Sequence, residues 1–528
     1  MATELIDQDA RHQIVTSLDE TLFVDAGAGT GKTRLLVDRV AETVLGGVPL
    51  DNVAVVTFTE QAGAELRDRL RARFEEAAAD PRHQDPAQRA LDELDGAAIG
   101  TLHSFARRVL TEHAIEAGLP PLVDVLDEVE SGVAFDERWS EQCAALLDDD
   151  SLAESLLFTL AAGVTLDNLR SLARKFTADW DLVADRVLTA DPPGQASIPD
   201  TAPLVAEARR LAALATRCLS DDDRLLPKLA DLRDWGDRLD AAADPPARLA
   251  VLGECTVWRF GRTGNRANWS GGDLEEIRAA CGELAGQAKA IVRRTQNACV
   301  RLLAQRIGQL VLDAARDRQG DGRLEFHDLL VLARELVRTH PEVRAALADR
   351  YQRLFLDEFQ DADPIQVELA VRIAAGASGS EPDWADVQVP AGRLFMVGDP
   401  KQSIYRFRRA DITTYLRARE VLGSSPALTT NFRTVGPVLE WVNAVFSRLI
   451  QSVPGSQPEY MPLDVQRSTT CGAAGHGARR RRTHRQALCR PASVTRGRRR
   501  RRGHHDHAGR GVASPGRTER LLAGRAAC

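Results

Sequence analysis

Lys32 closes the run Ala26-Gly27-Ala28-Gly29-Thr30-Gly31-Lys32-Thr33, and it is one of five lysines in a chain that carries sixty-four arginines. Small residues from 26 to 31 let successive backbone N–H groups curl round an anion at a helix N-terminus, where the dipole favours negative charge. A compact ammonium fits between two phosphates where a planar guanidinium does not. In a chain that writes Arg for almost every cation, Lys32 is therefore assigned to the β- and γ-phosphates of a triphosphate. The Thr33 hydroxyl is assigned to its Mg²⁺. Ala26 stands where the pattern G-x-x-x-x-G-K-[ST] usually opens with glycine, so the match is to a relaxed form. The competing reading, a glycine-rich turn that binds nothing, leaves the rare lysine unexplained.

A second chemical group follows Leu354-Phe355-Leu356. Asp357 at the end of such a strand can hold a metal's water shell, and Glu358 beside it can orient or deprotonate an attacking water. An acidic turn alone would be unremarkable; beside a phosphate loop it becomes the other half of a nucleotide site. A third group is Gly398-Asp399-Pro400-Lys401-Gln402-Ser403-Ile404-Tyr405-Arg406-Phe407-Arg408. Gln402 is placed to sense a γ-phosphate, while Tyr405 and Phe407 offer flat faces to nucleobases. Stacking of this kind is sequence-tolerant and worth about 1–3 kcal/mol per base. The bland alternative is two buried aromatics at i and i+2 of a strand.

These groups need a scaffold, and the flanking patterns describe one. Leu22-Phe23-Val24 reads as a buried strand entering the phosphate loop, with an amphipathic helix from Arg34. Val53 to Phe58 and Ala98 to Thr101 read as further strands, each followed by a helix (Gln61 to about Ala78, Ser104 to about His113). This is an α/β parallel-sheet pattern. Residues 115 to about 320 change to Leu, Ala, Arg and Asp at three-to-four spacing, with breaks at Asp191-Pro192-Pro193-Gly194 and Asp244-Pro245-Pro246 and no convincing strand. That predicts a large all-α insertion. The α/β pattern resumes at 353–357 and 393–398.

At 528 residues, 44% hydrophobic and 27% charged, the chain predicts two to four soluble domains with aliphatic cores, since aromatics make up only 5%. No apolar run of membrane length and no secretory signal are seen, and the eight cysteines lack metal-like spacing. A cytoplasmic protein with reduced thiols and no membrane partner is expected. From Gln466 to Cys528 there are seventeen Arg, no Lys and two acids, against 52 basic and 74 acidic residues before it. Nucleic-acid contact in the folded part must therefore use a local groove. No Phe, Trp, Tyr or Ile follows Pro462, so the tail cannot bury enough apolar surface to order itself. It reads as a disordered basic arm or, the version favoured here, as out-of-frame translation of GC-rich DNA.

Six segments in order resemble the motifs of a superfamily 1 DNA helicase of the UvrD/RecB type, in its RecB/AddA-like branch. AGAGTGKT at 26–33 resembles motif I, VVTFTEQAGAELRDRL at 55–70 motif Ia, and IGTLHSFARRVL at 99–110 the next DNA-contacting motif. GRLEFHDLL at 322–330 and LFLDEFQDADPIQ at 354–366 resemble the approach to motif II and motif II itself. LFMVGDPKQSIYRFRRADI at 394–412 resembles motif III, and LTTNFRTVGPVLEWVN at 428–443 motif IV.

The resemblance implies a RecA-like P-loop NTPase sheet. Its lobe 1A spans 1–114 and 321–425, interrupted by a helical insertion at 115–320. A second RecA-like lobe would begin at 426–463 and remain incomplete, with the Arg-rich tail at 464–528. Ala26 to Thr33 would bind ATP, with Lys32, Asp357, Glu358, Gln402 and Arg433 catalytic, Thr33 and Asp357 on Mg²⁺, and Phe432 near the adenine. Thr57, Phe58, Thr101, His103, Tyr405 and Phe407 would touch single-stranded DNA. The adenine-reading glutamine has two candidates, Gln8 and Gln13, neither at the family spacing.

The implied activity is ATP-dependent 3′→5′ movement on single-stranded DNA and DNA ends in recombination or repair, with a helicase–nuclease partner subunit. Motifs V and VI are not recognisable, so ATP binding with weak hydrolysis and impaired unwinding is expected. A non-catalytic DNA- or partner-binding remnant is the alternative. A small P-loop kinase would have no use for the insertion or for GDPKQSIYRFR.

Overall fold

The computed structural model describes residues 5–191, 197–255, 258–269, 273–423 and 425–467. Strands among them are β1 (Leu22–Ala26), β2 (Val53–Thr57), β3 (Ala98–Thr101), β4 (Asp124–Val125), β5 (Arg323–Leu324), β6 (Arg353–Leu356), β7 (Leu394–Gly398), β8 (Ala427–Leu428), β9 (Thr430–Val435) and β10 (Asp464–Arg467). Six make one parallel sheet in the order β3-β2-β6-β7-β1-β8.

Parallel strands covered on both faces must be apolar at every position, and β1, β2 and β7 are buried throughout. The two-residue side-chain period then divides each strand between two cores. Phe23, Ala54, Val56, Leu354, Leu356 and Met396 enter one; Leu22, Val24, Val55, Phe355, Phe395 and Val397 enter the other. Register pairs Asp25 with Gly398 and Leu356 with Met396, so the carboxyl ends of β1, β6 and β7 lie side by side. That edge is where an open α/β sheet presents its ligand.

The insertion is helical as the spacing predicts, with one correction. Asp124–Val125 pairs in parallel with β5, closing the two ends of the insertion on each other. Two residues are too few to show a period, so the sequence pattern gives no strand there. Asp244 caps the helix Pro245–Glu254, so the Pro-Pro break is a helix start. The final helix, Leu274–Asp321, runs 48 residues. Leu284, Ala288, Ile291, Thr295, Cys299, Leu303, Ile307 and Val311 recur on its buried face. It ends at Gly322 in the left-handed region (φ 68°), where a Cβ would lie 2.5 Å from Pro120 Cγ.

Two expected boundaries shift. Ala427–Leu428 pairs with β1 and extends the central sheet, so the expected start of a second lobe at 426 falls inside the first sheet. Asp464–Arg467, expected as the first residues of the tail, pairs in parallel with β9. The remainder of the tail expectation, from 468 on, lies outside the described residues. Helix Gly436–Leu449 buries Leu439 but leaves Trp441 63% and Leu449 67% exposed, with Val438 and Phe446 also at the surface.

Candidate functional site

The phosphate loop leaves β1 and enters helix Lys32–Leu45 through two left-handed glycines, Gly29 (φ 74°) and Gly31 (φ 88°). Both conformations are costly for any residue with a Cβ. Gly29 is also closed by space, since a Cβ there would lie 2.8 Å from Arg433 Cβ. Thr30 is buried and donates its hydroxyl to the Gly27 carbonyl at 2.8 Å. β9 lies directly on the loop. Asn431 donates its amide to the Ala28 carbonyl at 2.6 Å, and the Phe432 N–H donates to the Gly29 carbonyl at 2.9 Å. Phe432 and Arg433 are thus brought to the loop across about four hundred positions.

The acidic pair arrives from β6. Lys32 Nζ donates to Glu358 Oε2 at 2.9 Å, a contact between residues 326 positions apart. Glu358 takes a left-handed conformation (φ 50°), rare for a residue with a long side chain and a form of strain that gathers at active sites. Burial, reinforced by the charge of Glu358, pushes the Asp357 carboxyl up to about 6. Burial also raises Glu358, but the Lys32 ammonium and the Gln360 amide outweigh it and hold that carboxylate below its ordinary value. The pair is split into a reluctant acid and a firmly ionised one.

Gln402 does not contact Lys32 or Glu358 in the described hydrogen bonds; it is joined to them through two residues. Its amide donates to Asp399 Oδ2 at 2.7 Å, the Asp399 N–H donates to Gln360 Oε1 at 2.8 Å, and Gln360 Nε2 donates to Glu358 at 2.8 Å. Gly398 makes this possible, because a Cβ there would lie 2.8 Å from Gln360 Oε1.

The six residues expected on a DNA strand also converge. Thr57, Phe58, Thr101, His103 and Phe407 line a cavity of about 490 Å³. Tyr405 bridges its wall, with ring centroids 4.8 Å from Phe58 and 5.7 Å from Phe407. Tyr405 lies between short helical turns rather than on a strand, which removes the reading of two core aromatics at i and i+2. His103 packs on Phe326 at 5.4 Å, and burial lowers its affinity for a proton. A buried ion-pair cluster forms part of the floor: Arg409 meets Asp181 at 2.9 Å and Asp363 at 3.2 Å, and His327 meets Asp181 at 2.9 Å. Asp181 belongs to the insertion, so this cluster ties the insertion to the segments around the acidic pair.

A family model described as the UvrD/REP helicase N-terminal domain matches residues 7–422. The chain belongs to that family. Curated relatives of this UvrD/REP helicase domain include an ATP-dependent helicase/nuclease subunit of Levilactobacillus brevis, 26% identical over 85% of this chain and 39% of the relative. The protein of the same name from Desulforudis audaxviator is 27% identical over 86% of this chain and 40% of the relative. That from Pediococcus pentosaceus is 22% identical over 87% and 41%. The chain therefore spans about two fifths of the length of these relatives. No helix among the described residues is long and apolar enough to cross a membrane.

The N-terminal segment of this UvrD/REP helicase domain holds residues that the sequence pattern does not single out. Asp7 accepts from Arg11 at 2.8 Å, from the Thr430 N–H at 2.9 Å and from the Thr430 hydroxyl at 2.7 Å. Burial opposes its charge, yet these bonds hold its carboxyl down to about 2. Arg11 donates to the Thr30 carbonyl at 2.9 Å and lies 5.0 Å from the Phe432 ring centre. Gln13 donates to Glu20 instead, and Gln8 is exposed. Of these side chains Arg11 is the one that reaches the loop; one arginine among sixty-four carries no signal of such a role.

Asp357 supplies a stability test free of any ligand. A carboxyl raised above its unfolded value contributes stability that is present at low pH and lost as pH climbs through the folded value, here about 6. Asp357→Asn is therefore expected to unfold with the wild type near pH 4 and to be more stable by about 2 kcal/mol at pH 8. Urea titrations of the nucleotide-free proteins at both pH values check this; equal stability at pH 8 would contradict it.

Proposed function

We propose that this domain binds ATP with Mg²⁺ and uses its hydrolysis to move 3′→5′ along single-stranded DNA, within a helicase–nuclease that processes DNA ends in recombination or break repair. The observation that carries the reading is the 2.9 Å meeting of Lys32 with Glu358 beside a glycine loop. The printed name of the relatives supports the assignment to a helicase–nuclease assembly and hence a partner subunit.

The donor set fits a magnesium nucleotide. Two left-handed glycines keep side chains away from the loop amides, and Lys32 and the exposed Arg433 supply positive charge. The Thr33 hydroxyl and the Asp357 carboxylate would hold Mg²⁺, and Phe432 with Arg11 would border the base. When bound, the nucleotide supplies a phosphoryl group open to attack by water. Glu358 is kept ionised by Lys32, so it can orient that water and take its proton. Gln360 holds the Glu358 carboxylate in place and links it through Asp399 to Gln402. The aromatic cavity would hold bases of the strand, and the path through Gln360 gives strand and nucleotide a physical connection.

The charge on a transferred phosphoryl group needs stabilising, and an arginine from a second lobe is worth about 10³–10⁵ in rate. Without recognisable motifs V and VI, this polypeptide is expected to bind MgATP one to one, hydrolyse it slowly with stimulation by an oligonucleotide, and leave a 3′-tailed duplex intact. Calorimetric titration with MgATP, followed by turnover with and without a single-stranded oligonucleotide, tests this. Absence of ATP binding would sink the reading, as would turnover indifferent to DNA.

A further inference from the structure

The aromatic cavity carries a chemical asymmetry that a strand-binding surface does not need. Its ionisable lining is acidic, with Asp179, Asp361 and Asp363 all facing it. The one guanidinium there, on Arg409, is already engaged with Asp181, Asp363 and Asp179 at 2.9, 3.2 and 3.5 Å. Phosphates are repelled from such a lining, so what enters must be uncharged and flat. Two buried polar atoms in the wall have no hydrogen-bond partner of good geometry: the Thr57 hydroxyl oxygen and Asp361 Oδ1. The other oxygen of Asp361 accepts from Gln360 at 3.2 Å, and the Ile404 backbone N–H adds a weaker attraction. Asp361 is 8% exposed. Unsatisfied buried polar atoms call for a specific explanation. A hydroxyl can donate or accept; a carboxylate can only accept.

Resting on the strand-binding reading above, we propose that this cavity is a nucleobase pocket whose Asp361 edge selects bases bearing an exocyclic amine over thymine. Cytosine offers its N4 amine to a carboxylate, adenine its N6 amine, and guanine its N1–H and N2 amine. Thymine presents O2 and O4, which a carboxylate repels, flanking a single N–H. The aromatic wall supplies stacking to every base alike, so the carboxylate is left to discriminate. Because its second oxygen accepts from Gln360, the base-reading group stands one hydrogen bond from the residue that holds Glu358.

The test is fluorescence anisotropy with the full chain, 20-mers of dC and of dT, 0.1 M salt and pH 8, where Asp361 is ionised and dC is unstructured. The wild type is expected to bind dC about five- to tenfold more tightly than dT. Asp361→Asn, which presents a donor and an acceptor in the same shape, is expected to keep its affinity for dT and to lose the preference. Equal binding of dC and dT by the wild type would overturn the pocket assignment while leaving strand binding intact. A preference that survives in Asp361→Asn would overturn it as well. Failure to bind either strand would overturn both the pocket and the reading beneath it.

Discussion

Lys32→Ala is expected to weaken MgATP binding by at least about a hundredfold. The ammonium makes a charge-assisted contact of the kind worth about 1.5–3 kcal/mol, and tenfold in affinity corresponds to about 1.4 kcal/mol. A second effect acts in the same direction. Lys32 is what keeps Glu358 ionised and compensated, so its removal leaves a part-buried carboxylate facing the place of the phosphates. Lys32→Arg separates charge from shape: it keeps the cation but replaces a point charge with a planar fork, and it is expected to bind almost as poorly as alanine. Titration with a fluorescent ATP analogue reads both variants. Wild-type affinity in Lys32→Ala would mean that the glycine loop is a turn and nothing more.

Glu358→Gln should separate binding from chemistry. A general base contributes about 10²–10⁴ to a rate, so turnover is expected to fall by that factor while MgATP affinity holds or rises. The rise follows from deleting a negative charge 2.9 Å from Lys32, beside the place a phosphate would take. The glutamine amide can still meet Gln360, so the backbone at φ 50° need not relax. Single-turnover hydrolysis with the DNA strand present measures the effect. Unchanged turnover would move the base elsewhere, with Asp357 the first alternative.

What is legible in the sequence follows from how local each signal is. β1, β6 and β7 are readable because strands buried on both faces must be continuous apolar runs, and each ends in the residues that do chemistry. The six strand-facing residues converge because they follow β2, β3 and β7 at neighbouring edges of one sheet. Arg11 is not readable: its role depends on Thr30, Thr430 and Phe432, and its type is the commonest cation in the chain. Gln360 lies in plain sight within Asp-Glu-Phe-Gln-Asp, yet only the approach of Gly398 and Asp399 shows what its amide spans. β4, β5 and β8 are two residues each, below the length at which any alternation can be seen. The expected boundary at 426 fails for the same reason.

Helix Gly436–Leu449 has a bearing on how this polypeptide survives outside any assembly. Trp441, Leu449, Val438 and Phe446 sit on its surface, the kind of apolar patch that draws chaperones and drives self-association. Yield, shelf life and turnover in a cell will then be governed by these four side chains, which have no part in handling nucleotide. A charged residue at Trp441 would do more for a concentrated sample than any change near the glycine loop.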